Sequence, residues 1–230
     1  MTITWLGQSG YLLEDSGTQI FLDPYLSDAV NHAAGRPRMV EPPILPKEVS
    51  GAVICTHDHL DHLDPDAIRR MDREHIDFYA PSSCRKHLEE LGCVRIHSLD
   101  LGDTITVGPF AFTAVFANHS IDAIGVLAKW GGQSFYFTGD TLWNPRLEEM
   151  AAEKPEFLFV CINGKLGNMN AEEATRLTEV LRPQAAIPTH YGMFASNTED
   201  PEVYTSRGRH GYIMELGRPV TPEEILAAVH

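Results

Sequence analysis

Residues Thr56 to Asp64, THDHLDHLD, follow the apolar run AVIC directly and pack three histidines and three aspartates into nine positions. Ionisable groups at this density would repel one another or stay unsatisfied in a core, so something else must bind them there. The preceding run places them at the end of a strand. Other apolar runs in the chain end in the same kind of residue: FTAVFAN leads into His119, SFYFTG into Asp140 and AAIPT into His190. Strand ends at one edge of a sandwich of two sheets can converge. Alternate spacing lets His57 and His59 face one point while Asp61 and His62 face another. The count then gives His57, His59 and His119 to one divalent ion, Asp61, His62 and His190 to a second, and Asp140 to a position between them. The remaining histidines, His32, His75, His87, His97, His210 and His230, stand alone and read as surface or internally satisfied residues.

The pattern along the chain supports such a sandwich. TITWL, GYLLE and TQIFLD are short, β-rich and separated by glycine turns, so they predict an antiparallel meander. Tyr25 to Lys47 is proline-rich and aperiodic, and predicts a long surface loop that could act as a lid. The chain then alternates: a strand at Ala52–Thr56, a helix from Pro65 to Arg73, a strand at Phe78–Ala80 and a helix from Ser83 to Leu91. Asp64 and Ser82 are the expected capping residues for the two helices. The second half opens with FAFTAVFAN, AIGVLAKW and QSFYFTGD, the last two joined through Gly131-Gly132. A helix follows, then strand FLFVCI, helix NAEEATRLTEVL capped by Asn170, strands AAIPT and GYIMEL, and a final helix from Pro222. One doubly wound parallel sheet would not explain the hairpins.

Composition limits the partners. With 18 basic and 32 acidic side chains the net charge is −14, which disfavours an extended nucleic-acid surface. No apolar run approaches the roughly 20 residues that span a bilayer, and the N-terminus lacks the basic head of a secretory signal. The four cysteines form no CxxC pair, as expected for reduced thiols in the cytoplasm. One domain over residues 1–230 is expected, and a homo-oligomer remains open.

THDHLDH, His119, TGD with Asp140 and PTH with His190 together resemble the metallo-β-lactamase superfamily. TWLGQSGYLLE, DPYLSD, DAIGV, CINGKLGNMN and HYGMF are more narrowly similar to its L-ascorbate-6-phosphate lactonase-like branch. The resemblance implies an α/β fold, the four-layer αβ/βα sandwich, with a metal pair at one edge of both sheets. It also implies hydrolysis of a small anionic lactone or ester by a metal-bridging hydroxide, with Asp61 or Asp140 holding the transferred proton. Imidazole-rich ligation suits Zn²⁺, the carboxylates and the resemblance admit Mn²⁺, and Fe is compatible with the same ligands.

Other residues carry weaker expectations. Asp23, ending IFLD, either caps a turn or accepts the free N–H of a ligand imidazole. Arg36 and Arg38 in the proline-rich loop, and Asn163 and Lys165 after FLFVCI, are expected to contact an anionic substrate. A side-chain nucleophile is not expected, because Cys55 and Cys161 sit inside apolar strands and no GxSxG occurs. Two other functions use the same ligands: a binuclear phosphodiesterase and a metal-binding protein without turnover. A flavin-linked di-iron oxygen reductase would need a further flavin domain.

Overall fold

A computed structural model describes residues 1–208 and 210–229, so His230 lies outside the described residues. The meander forms as expected from β1 (Thr2–Gly7), β2 (Gly10–Asp15) and β3 (Thr18–Leu22). With β4 (Ala52–Ile54), β5 (Asp77–Ala80), β6 (Arg95–Ser98) and the two-residue β13 (Pro219–Val220) it makes a seven-stranded sheet ordered β13-β1-β2-β3-β4-β5-β6. The second sheet contains β7 (Thr104–Val107), β8 (Phe110–Phe116), β9 (Ile124–Trp130), β10 (Gln133–Phe137), β11 (Phe157–Cys161) and β12 (Ala185–Thr189), ordered β12-β11-β10-β9-β8-β7.

The period-two pattern of the first strands buries both faces of their sheet. Ile3, Trp5, Tyr11, Leu13, Ile20, Leu22, Ala52 and Ile54 join the core shared with the second sheet. Leu12, Phe21 and Val53, between them in sequence, join an outer cluster with Ala67, Ile68 and Leu88. Those last three belong to helices α2 (Pro65–Ile68) and α3 (Arg85–Glu90), while α4 (Ala171–Leu181), α5 (Pro201–Thr205) and α6 (Pro222–Val229) pack through Ala174, Leu177, Tyr204 and Ile225 on the second sheet. The result is a four-layer αβ/βα sandwich.

Several elements depart from the sequence expectations. GYIMEL is not a strand: Gly211 bridges Ala186 in one sheet and Leu216 bridges Trp5 in the other. The segment crosses the margin between two sheets, so it cannot stay in register with either. The helix after Asp64 stops at Ile68, short of Arg73, and a turn carries the chain onward. Asp64 does cap it, accepting from the backbone N–H groups of Asp66 and Ala67. Ser82 caps nothing, and its hydroxyl donates to Asp100 instead. Asn170 forms a full capping box with Glu173. The proline-rich loop contains helix α1 (Ala29–Ala34), and it is tied to the body. The Asp64 carboxylate accepts from Leu26 N, Ser27 N and Ser27 Oγ at 2.6–2.9 Å, and Met39 N donates to Met193 O at 2.8 Å.

Strand direction positions the site. β3 and β4 are parallel, β10, β11 and β12 are parallel, and β8 runs the same way as β10 across the antiparallel β9. Asp23, His57, His119, Asp140 and His190 therefore all emerge beyond C-terminal strand ends. The sheets also touch there, where Ile124 N donates to Thr56 O at 3.1 Å and His57 pairs with Ala123.

Candidate metal centre

Two groups of side chains converge at that edge: His57, His59, His119 and Asp140, and beside them Asp61, His62 and His190. Within each group the ligand atoms all lie within 4.8 Å of one another. His59 Nδ1 is 3.0 Å from His57 Nε2 and 3.1 Å from His119 Nε2. Asp140 reaches both groups, with one oxygen 3.2 Å from His190 Nε2 and 4.0 Å from His119 Nε2, and the other 3.3 Å from His62 Nε2. Tetrahedral ligands at the usual zinc–nitrogen length stand roughly 3.4 Å apart, so these spacings fit a cation at each centre.

Partners on the back sides of His62, His57 and His119 explain the orientation of these three rings. Asp23 Oδ2 lies 2.8 Å from His62 Nδ1 and also accepts from Thr56 Oγ1 at 2.7 Å, while Thr56 Oγ1 lies 3.0 Å from His57 Nδ1. Asp23 thus stands against the Nδ1 side of a candidate ligand imidazole. His119 Nδ1 lies 3.1 Å from Gly167 O. In all three rings Nδ1 is occupied and Nε2 is left for the centre. His62 Nε2 and Asp140 Oδ1 are buried without a hydrogen-bond partner, although they lie 3.3 Å apart. Both aim at a common point, as atoms that share a cation do.

Charge follows the same logic. Burial pushes the His57 imidazole well below its ordinary pKa, and neighbouring His62 adds to the effect. Burial also opposes a proton on His190, but Asp140 and Asp61 outweigh it and lift its pKa to about 9. Burial would raise Asp61, yet His62 and His190 hold it below the usual carboxylate range. The carboxylates that hold a proton on His190 would hold a divalent cation in its place. Burial pushes the Cys161 thiol up to about 11, which leaves it a poor nucleophile.

The β-lactamase superfamily domain matches residues 18–191, a span that includes every residue of both groups. The chain belongs to that superfamily. Among its superfamily relatives is a metal-dependent hydrolase of Archaeoglobus fulgidus, 31% identical over 222 residues that cover 88% of each chain. The fold is shared with a possible metal-dependent hydrolase from Veillonella parvula, with TM-score 0.81 and 17% identity over 96% of this chain and 99% of that one. It is shared equally with the isothiocyanate hydrolase from Delia radicum gut bacteria, with TM-score 0.80 and 20% identity over the same shares.

The expected substrate contacts fare differently from the ligands of this superfamily site. Arg38 donates through Nε to Val40 O and through Nη1 to Ser27 O at 2.7 Å, and its guanidinium lies over the Tyr25 ring. These contacts tie it to its own loop. Asn163 Nδ2 donates to Asn197 Oδ1 at 2.7 Å and to Lys165 O, which shapes the loop, while its Oδ1 is buried without a hydrogen-bond partner. Arg36 is exposed, and exposed Lys165 lies 3.5 Å from Ser196 O. A cavity of about 590 Å³ beside Arg182, Tyr204 and Arg207 opens at the start of β12, the far end from His190. It contains neither ligand group.

Two residues of this superfamily site have no signal in a metal-ligand pattern. Gly167, at φ +93°, brings its backbone against His119, and a Cβ there would stand 2.8 Å from the ring. Gln8 is fully buried at φ +54° in the turn between β1 and β2. Its Nε2 donates to Asp61 Oδ2 at 2.8 Å and lies 3.1–3.3 Å from the His190 ring nitrogens, while its carbonyl accepts from Trp5 Nε1 and His190 N. A polar residue between two apolar strands, in a tight turn, was the available clue. Gln8→Ala is expected to weaken metal affinity about ten- to a hundredfold, read by titration against a competing chelator. Unchanged affinity would show that the amide does not hold these two ligands.

Proposed function

We propose that residues 1–230 act as one metal-dependent hydrolase that opens a carboxylic ester or lactone. The observation that carries this reading is Asp140, placed within 3.2–4.0 Å of imidazole nitrogens from both ligand groups. His57, His59 and His119 would hold one ion and Asp61, His62 and His190 the other, with Asp140 shared. Zn²⁺ and Mn²⁺ suit this nitrogen and oxygen set. When bound, such ions supply Lewis acidity and an acidified water at neutral pH.

The side chains supply the rest. A water oxygen adds to the acyl carbon, the bond to the ester or ring oxygen breaks, and the departing oxygen takes a proton. Asp61 and Asp140 are the carboxylates positioned to accept the water's proton and return it. Gln8 keeps the Asp61 carboxylate turned toward the centre through its 2.8 Å hydrogen bond. Asp23 and Thr56 keep the His62 and His57 rings fixed. All cysteines of the chain are free and buried, which supports a reducing compartment such as the cytoplasm. Among the described residues no helix is long and apolar enough to cross a membrane.

A panel of lactones, carboxylic esters and phosphodiesters, assayed on protein reconstituted with Mn²⁺ or Zn²⁺, tests the proposal. Turnover of lactones or esters above phosphodiesters is the expected result. Turnover of phosphodiesters alone would move the chemistry to phosphorus, and no turnover with metal in place would favour a metal-binding role.

A further inference from the structure

A cavity of about 450 Å³ opens over the two ligand groups, with His59, Asp61, Asp140 and His190 at its floor. Its volume lies in the range of small-molecule sites. Beyond those ligands the wall consists of Val30, Leu60, Leu166, Ser120 and Asn197. Among the described residues no lysine or arginine lines it. The wall offers aliphatic surface and two neutral polar groups, so a phosphate or carboxylate held against it, turned away from the ligand groups, would lose hydration without gaining a cation.

Leu166 is the informative residue. It is 60% exposed, an unusual state for a leucine, and it sits at φ +54°, a backbone region that bulky side chains avoid. Its neighbour Gly167 fixes that loop against the His119 ring, so the exposed leucine is held beside a ligand. Strain kept at such a place points to a task. Asn197 is buried and anchored by Asn163, which gives the opposite wall a fixed shape. Ile121 and Leu142, two residues beyond His119 and Asp140 in the chain, are also exposed.

We infer that this site takes an uncharged substrate with an apolar side chain next to the hydrolysed carbonyl, a reading that rests on the proposed hydrolase activity. The side chain lies against Leu60, Leu166 and Val30 while the carbonyl faces the ligand groups. Ser120 and Asn197 offer neutral hydrogen bonds to it.

The test compares a lactone bearing a linear alkyl chain with the same lactone whose chain ends in phosphate, on metal-loaded protein. The alkyl lactone is expected to show at least tenfold higher kcat/KM. Leu166→Asp is expected to reduce that preference about tenfold, whereas Leu101→Asp, at a 52% exposed leucine outside this cavity, should leave it intact. Metal content and melting temperature of both variants establish that they are folded. Equal or faster turnover of the phosphorylated lactone overturns the inference, most clearly if Lys165→Ala abolishes that preference. Calorimetric binding of the matching non-hydrolysable lactams separates this inference from the hydrolase reading. If no lactone is turned over but the alkyl lactam binds tenfold tighter through Leu166, only the hydrolase reading falls. If the phosphorylated lactam binds as tightly, the apolar assignment falls whatever the turnover.

Discussion

Replacing Asp140 with alanine is expected to lower kcat/KM by roughly 10³- to 10⁴-fold, about 4–5.5 kcal/mol of transition-state stabilisation. The size follows from its position, because one carboxylate stands near His62, His119 and His190 and its loss damages both ligand groups together. His119→Ala should be milder. His119 Nε2 lies 3.1 Å from His59 Nδ1 and belongs to one group alone, so its loss should release one ion and spare the other. Metal analysis after dialysis distinguishes the cases: two ions per chain in the natural protein, about one in His119→Ala and less in Asp140→Ala. A natural protein that retains one ion or none from excess Mn²⁺ or Zn²⁺ would falsify the two-ion arrangement.

Removing the metal should cost the fold almost as much as Asp140→Ala costs the chemistry. An ion that binds the native chain and not the unfolded one, present a thousandfold above its dissociation constant, stabilises by about 4.1 kcal/mol. For a chain of this size each kcal/mol corresponds to about 2–4 °C, so chelation should lower the melting temperature by roughly 8–16 °C. The physical reason is local. Without a cation, His62 Nε2 and Asp140 Oδ1 stay buried and unpaired, and the His57 and His59 nitrogens face each other at 3.0 Å. Identical melting of metal-free and metal-loaded protein, with metal loss verified, would mean that the ligand cage stands unaided.

The candidate ligand cluster was legible in the sequence because His57, His119, Asp140 and His190 each come first after an apolar run, with His59, Asp61 and His62 close behind His57, and strand polarity carries them to one edge. Asp64 and Asn170 were legible for a related reason: a helix cap is a local event decided within three or four residues. What was not legible depends on contacts between distant segments. GYIMEL alternates like a strand, but its fate is set by Trp5 and Ala186, which lie in different sheets. Arg38 looks like a free cation until the Ser27 and Val40 carbonyls and the Tyr25 ring close around it. Gln8 acts on Asp61 and His190, each remote in sequence, and nothing near Gln8 announces either. The cavity wall formed by Val30, Leu60 and Leu166 draws on helix α1 and two separate loops, and no period in the sequence relates them.

The division of the ligands between the sheets also has a kinetic meaning. His57, His59, Asp61 and His62 follow β4 in the first sheet, whereas His119, Asp140 and His190 follow β8, β10 and β12 in the second. During synthesis the first four leave the ribosome long before His190, and neither group is complete until the two sheets have docked. An ion held by either group would therefore arrive late, as a clasp across layers that have already met. Interactions absent from the folding transition state act on the unfolding rate, so metal should lengthen the lifetime of the native chain and leave its folding rate nearly unchanged.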